Sequence, residues 1–173
     1  MALTATFHLR FDMPGPERYI GRTMTDLILA IVHHLIVFGI ADVLAAELAL
    51  MRPAAMSPHT VRLLGRFDAA YGALAVAILV IGFCRVWFGA KGPDFYLHNH
   101  AFWAKIAAFA VVGLLSVKPT LRIAAWQKAL KADPAFTPPA AELTATRRTM
   151  LAEIHVFTLI PIAAALMARG IGF

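Results

Sequence analysis

The chain has 173 residues, of which 60% are hydrophobic and only 15% are charged. A soluble domain has roughly 45–50% apolar and about 25% charged residues, so this composition excludes a water-soluble protein and predicts an integral membrane protein surrounded by a lipid bilayer. The formal net charge of +6 does not indicate a nucleic-acid partner, because nearly all Lys and Arg residues flank the apolar runs, as in membrane proteins.

Four apolar segments are long enough to be membrane spans. They run from about 24 to 51, 67 to 89, 101 to 117 and 150 to 168. Because roughly 20 helical residues cross a bilayer core, we expect an all-α integral membrane four-helix bundle over residues 24–173. Residues 1–23 mix charges and prolines without an apolar core, so they are expected to form an extra-membrane N-terminal arm.

Basic residues define one side of the predicted bundle. Residues 121–131, after the third span, alternate apolar and basic side chains, which predicts a helical continuation of that span or an interfacial helical extension. The loops after the first and third spans carry more Lys and Arg than the opposite side. The positive-inside rule therefore predicts a multi-pass protein of a bacterial inner membrane with both termini in the periplasm.

Ionisable residues inside the spans need a physical reason, since each costs about 2.5–3.5 kcal/mol on insertion scales. They form two clusters by depth, one near the basic side with Glu47, Arg66, Asp68 and Glu153, and one toward the opposite side with Asp26, Arg85 and Lys105. Two interpretations remain open for both. Buried charges pair because an unpaired charge costs more, or the clusters form a proton relay or a polar ligand cavity.

Three histidines lie at comparable depth inside the spans. His33 and His34 are near the middle of the first span, and His155 is in the fourth. Imidazole is a common axial ligand of haem iron, so the pattern predicts haem b with His34 and His155 as metal ligands and His33 as a substitute. Arg85 and Lys105 have the charge that haem propionates require. The alternative is that each imidazole hydrogen-bonds to a neighbouring helix.

If the chain binds haem, the predicted function is that of a membrane redox protein that takes part in electron transfer. A second hypothesis is a non-catalytic accessory subunit of a larger respiratory or photosynthetic membrane complex, or a homo-oligomer. A small-solute or proton transporter ranks third, because the sequence has no inverted repeat of the kind that transporters carry. Glycine-rich phosphate loops, HExxH pairs and serine elbows are also missing from the sequence, so enzymatic activity is left open.

A family resemblance covers the chain from about Asp26 to the C terminus. The residues that carry it are His33-His34, Glu47, Arg66-Phe67-Asp68, Tyr71-Gly72, Arg85, Lys91-Gly92, Phe95-Tyr96, Asn99, Phe102, Lys105, Leu115-Ser116-Val117-Lys118-Pro119-Thr120, Trp126, Glu153 and Met167-Ala168-Arg169-Gly170. This combination resembles a family of predicted bacterial four-span membrane proteins whose domain has no assigned activity. The resemblance implies the fold and the membrane location, and no chemistry.

A more distant similarity concerns haem-containing membrane protoporphyrinogen oxidases and copper-resistance membrane proteins. In those oxidases a first-span histidine and a later-span lysine are thought important. The similarity implies corresponding roles for His33 or His34, and for Lys105. The tryptophan-rich first-span motif of those oxidases is missing from this sequence.

Overall fold

The fold is entirely helical over the part of the chain that the structure describes. This computed structural model describes the backbone of residues 16–172 and the side chains of residues 21 and 23–172. The helices are α1 (Pro16–Leu50), α2 (Pro58–Phe88), the short α3 (Gly92–Leu97), α4 (His100–Ala132) and α5 (Ala140–Ala168), with one 3-10 turn at Pro53–Ala55. The all-α prediction is confirmed.

Four of these helices are long and apolar enough to cross a membrane, as predicted. Helix α1 begins at Pro16, ahead of its apolar run. Residues 16–23 of the predicted N-terminal arm therefore belong to this helix, and residues 1–15 lie outside the described residues. The membrane location is multi-pass, while the inner membrane and the periplasmic termini stay predictions.

Polar caps fix where α2 and α4 begin. The hydroxyl of Ser57 accepts a hydrogen bond from the backbone N–H of Thr60 at 3.1 Å, and Pro58 occupies the first turn. The Asn99 side chain accepts from the N–H of Phe102 at 3.2 Å. Both caps satisfy N–H groups that have no partner inside the helix. Helix α2 thus begins well before the predicted apolar span, because its first turns are capped and polar.

The long helices pack in the order α1, α2, α4, α5 around a closed bundle, with the closest pairs being α1 with α2 and α4 with α5. Ile40, Leu44 and Ile78 are buried at its centre, with Phe109 and Phe157 packed against them. Ile40 and Leu44 lie four residues apart on one face of α1, and burial of that face drives the packing. The predicted four-helix bundle is confirmed.

A second core lies beyond the end of α1. With 33 residues, α4 is about 50 Å long, which exceeds a hydrocarbon core of about 30 Å. Its last turns bury Ile123 and Trp126 against Leu64 of α2 and Met150 of α5. Of the two predicted forms of the extension, the structure has the helical continuation. We call this end of the bundle the basic end, and the opposite end the α3 end.

Candidate functional site

A cavity of about 120 Å³ lies inside the bundle toward the α3 end. Its polar lining comes from His33 on α1, Arg85 on α2, Tyr96 on α3 and Lys105 on α4. The rest of its wall is apolar and consists of Val37, Ile40, Ile78, Leu79, Gly82, Phe83, Val86, Phe102, Ile106, Phe109, Phe157, Ile160 and Met167. Positions three, four and seven apart share one helix face, which explains why each helix contributes several lining residues.

The cations in this cavity have no anionic partner among the residues that the structure describes. The Nε atom of Arg85 and the Nδ1 atom of His33 are enclosed without a hydrogen-bond partner. Over residues 21 and 23–172, neither Arg85 nor Lys105 forms a salt bridge. Arg85 and Lys105 are close enough for their like charges to interact, which is unfavourable in a low-dielectric interior. The cavity therefore presents positive charge and unused hydrogen-bond donors.

Asp26 lies at the same end of the bundle but does not neutralise these cations. Its Oδ1 atom packs against the backbone of Gly89, where an added Cβ would lie 2.9 Å from it. In the described part of the chain Asp26 forms no ion pair with Arg85 or Lys105. The structure brings the three predicted residues to one end without joining them in a salt bridge.

Helix α3 closes the cavity from outside the membrane spans. Tyr96 is buried, and its ring lies 5.6 Å from the ring of Phe102, centroid to centroid. Burial raises the pKa of the Tyr96 hydroxyl; the nearby Arg85 charge opposes this shift and the Asp26 charge adds to it. The hydroxyl is thus a neutral donor over the ordinary pH range.

An acidic cluster occupies the bundle toward the basic end. Glu47 and Glu153 are only 3% and 1% exposed. The Tyr71 hydroxyl donates a hydrogen bond to Oε1 of Glu153 at 2.7 Å, and the Thr120 hydroxyl donates to Oδ1 of Asp68 at 2.7 Å. Three of the four residues predicted for this end therefore come together around Tyr71.

Arg66, the fourth residue predicted for the acidic cluster, faces outward. Its side chain is exposed, and within the described residues it forms no salt bridge with Glu47, Asp68 or Glu153. The position of Arg66 along α2 puts it at the same depth as the carboxyl groups, but its side chain lies on a face of the helix that points away from them. Among the described residues no salt bridge joins a cation to these carboxyl groups, so they do not form the predicted ion-pair network.

The three candidate haem ligands separate in the structure. His33 lines the cavity with Arg85 and Lys105, whereas His34 and His155 are exposed on the outer surface. The Nδ1–H groups of His34 and His155 each donate to a carbonyl four residues earlier in their own helix, at 2.6 Å. Ligation by His34 with His155 stays a prediction, and the cavity holds only His33 of the three.

Sequence reasoning missed the role of two aromatic residues. Nothing in the sequence around Tyr96 predicts that α3 folds over the cavity and brings this ring into its lining. Phe157 lies on the inward face of α5 beside the cavity. Its i+4 spacing from Glu153 is the signal that would have indicated its direction.

The fold and the cavity define a multi-pass α-helical membrane protein with a polar interior at both ends. The model of the family described as "Predicted membrane protein (DUF2214)" matches residues 25–172. The chain belongs to this family. No curated protein and no solved structure matches it, and the distant similarity to protoporphyrinogen oxidases and copper-resistance proteins stays a prediction.

Proposed function

We propose that the protein binds the acidic head group of an amphipathic, membrane-soluble molecule in the cavity at the α3 end. The observation that carries this proposal is the convergence of Arg85 and Lys105 on a cavity without a carboxylate among its lining residues. Charged groups inside membranes are costly and almost always paired. A carboxylate or phosphate group of the ligand would supply the missing partner and accept charge-assisted hydrogen bonds.

The apolar wall of the cavity indicates that the ligand also carries a hydrocarbon part. A volume of about 120 Å³ is smaller than the 300–1,000 Å³ of most small-molecule sites, so it suits a head group. Leu79 and Phe83 of α2 and Ile106 of α4 line the cavity and are also exposed on the outer surface. The cavity therefore borders the lipid between these two helices, where a hydrocarbon tail would extend.

A titration with matched probes tests the proposal. Protein in lipid nanodiscs is titrated with a pyrene-labelled long-chain carboxylic acid, the alkyl phosphate of equal length, and the matching alcohol. The acid or the phosphate is expected to bind, and the difference between these two identifies the head group. The alcohol is expected to bind about 10- to 100-fold more weakly, because hydrogen bonds to charged groups contribute about 1.5–3 kcal/mol.

The matched variants are Lys105→Met in the cavity and Lys118→Met on the outer surface. Lys105→Met should weaken acid binding by about 10- to 100-fold, and Lys118→Met should leave it unchanged because Lys118 is exposed and remote from the lining. Equal affinities for the acid and the alcohol would contradict the proposal.

Haem b is a second candidate, and the unpartnered Nδ1 of His33 supports it. His33 would be the axial ligand, and Arg85 and Lys105 would bind the propionates; the bound cofactor would supply one-electron transfer. The cavity of about 120 Å³ suits one edge of the macrocycle and is too small for all of it.

An absorption spectrum decides between the two candidates. If haem b occupies the cavity, protein purified from haem-supplied cells shows a Soret band that His33→Ala removes and His155→Ala retains. A protein without that band is not a haem protein. Loss of the band in His155→Ala would restore the ligand pair predicted from the sequence.

A further inference from the structure

The acidic cluster at the basic end contains two carboxyl groups that the cavity does not use. Glu47 and Glu153 are 3% and 1% exposed, on α1 and α5 respectively. Oε1 of Glu47 is enclosed without any hydrogen-bond partner, while Glu153 accepts its bond from Tyr71 at 2.7 Å. An enclosed carboxylate with no donor beside it is among the least favourable arrangements in a protein interior.

Every helix packed around these groups contributes acidic or neutral side chains. Helix α2 adds Asp68 and Tyr71, and α4 adds the hydroxyls of Thr120 and Ser116. The three carboxyl groups interact electrostatically with one another. Because these like charges interact in a low-dielectric interior, ionisation of both Glu47 and Glu153 is unfavourable.

The described cations near the cluster do not pair with Glu47 or Glu153. Lys128 and Lys131 of α4 line a groove together with Asp68, and in the described residues neither forms a salt bridge with it. Arg66 is exposed on α2, and Arg147 of α5 donates to the backbone carbonyl of Leu48. In the described part of the chain the salt bridge is Arg122 with Glu142, at the surface beyond the cluster. A bound positive species must therefore compensate Glu47 and Glu153.

An open groove at the basic end reaches Asp68, which interacts electrostatically with this pair. Asp68 is half-buried and lines an open groove of about 290 Å³, together with Gly65, Gln127, Lys128 and other residues of α2 and α4. Tyr71 follows Asp68 by three residues on the same face of α2, and its hydroxyl reaches Glu153. Asp68 thus stands between the groove and the enclosed carboxyl groups.

We propose that Glu47 and Glu153 share a proton that exchanges with water through Asp68 and this groove. The species is a proton and not a metal ion, because among the described residues no three His, Cys, Asp or Glu side chains are arranged to hold a metal. This inference does not depend on ligand binding in the cavity at the α3 end.

Labelling with dicyclohexylcarbodiimide tests the shared proton on the unmodified chain in nanodiscs. The reagent takes the proton of a carboxylic acid on nitrogen, the carboxylate oxygen adds to its central carbon, and the product rearranges to a stable N-acylurea with no group lost. At about pH 7 an ordinary carboxyl group is ionised and does not react. We expect one adduct per chain, mapped by mass spectrometry to Glu47 or Glu153.

Variants and competing ions define the outcomes. Glu47→Gln should lower labelling at least about tenfold, and the surface control Glu142→Gln should leave it unchanged. If Glu47→Gln does not fold, the adduct mapped on the unmodified chain still decides the question. No adduct on either residue at about pH 7, or protection by sodium or calcium ions, overturns the proposal.

The route is tested by infrared spectroscopy in heavy water. The carbonyl band of the protonated acid should shift as deuterium replaces hydrogen, and Asp68→Asn should slow that shift at least about tenfold. An unchanged rate removes Asp68 from the route. Lys91→Met, at an exposed position at the other end of the bundle, should leave both labelling and exchange unchanged.

Discussion

Replacing Arg85 by methionine should stabilise the ligand-free protein while abolishing ligand binding. Nε of Arg85 is enclosed without a partner, and an unsatisfied buried donor costs about 1–3 kcal/mol. Methionine has a similar length, is apolar and adapts to irregular space. We therefore expect Arg85→Met to raise the free energy of unfolding of the ligand-free protein by about 1–3 kcal/mol.

The assay is reversible unfolding of delipidated protein in mixed micelles, followed by helical circular dichroism. Lys118→Met is the control, because its exposed side chain should change the free energy of unfolding by less than about 0.5 kcal/mol. With acid probe at 100 times its Kd, the unmodified protein should gain about 2.7 kcal/mol, and Arg85→Met should gain far less.

The reasoning would be refuted if Arg85→Met destabilised the ligand-free protein. That outcome would mean that the guanidinium already has a partner in the folded state, so the cavity would need no anion. A stabilised variant that still binds the acid would instead exclude Arg85 alone from binding.

Three further predictions concern the core at the basic end and the cover of the cavity. Trp126→Phe removes the hydrogen bond that the indole of the buried Trp126 donates to the part-exposed Glu142 at 3.0 Å. The free energy of unfolding, measured by denaturation, should fall by about 1–3 kcal/mol. Arg122→Ala breaks only the half-exposed salt bridge to Glu142 at 3.3 Å and should cost less than about 1 kcal/mol in the same assay. Burial raises the pKa of the Tyr96 hydroxyl, so the stability that the neutral hydroxyl contributes is complete below about pH 10 and is lost as the pH rises further. Because the Arg85 charge opposes this shift, Arg85→Met should move the rise in Tyr96 phenolate absorbance to still higher pH.

The helices could be predicted from the sequence because apolar runs of this length have few alternatives in a bilayer. Their ends were less predictable. Helix α2 begins at Pro58, well before the apolar run, since Ser57 caps it and its first turns lie in the polar region. The continuation of α4 to Ala132 was one of two predicted forms, and packing of Trp126 against α2 and α5 selected it.

The sequence predicts how deep each site residue lies along its helix, but not which way its side chain faces. Positions along each span placed Arg85 with Lys105 and Glu47 with Glu153 correctly. Helical periodicity alone does not fix how a helix is rotated in the bundle, so Arg66 and His155 were grouped with residues that they do not face. Tyr96 could not be placed at all, because its position depends on how a short connecting helix folds back.

The most direct test of the proposed function is native mass spectrometry of the protein released gently from its own membranes. The account predicts that the unmodified chain and Lys118→Met carry a bound molecule with a carboxylate or phosphate group. Arg85→Met and Lys105→Met should leave the membrane without this molecule bound. An acidic molecule retained equally by all four proteins, or a neutral lipid in the cavity, would contradict the claim that these two cations hold an anion.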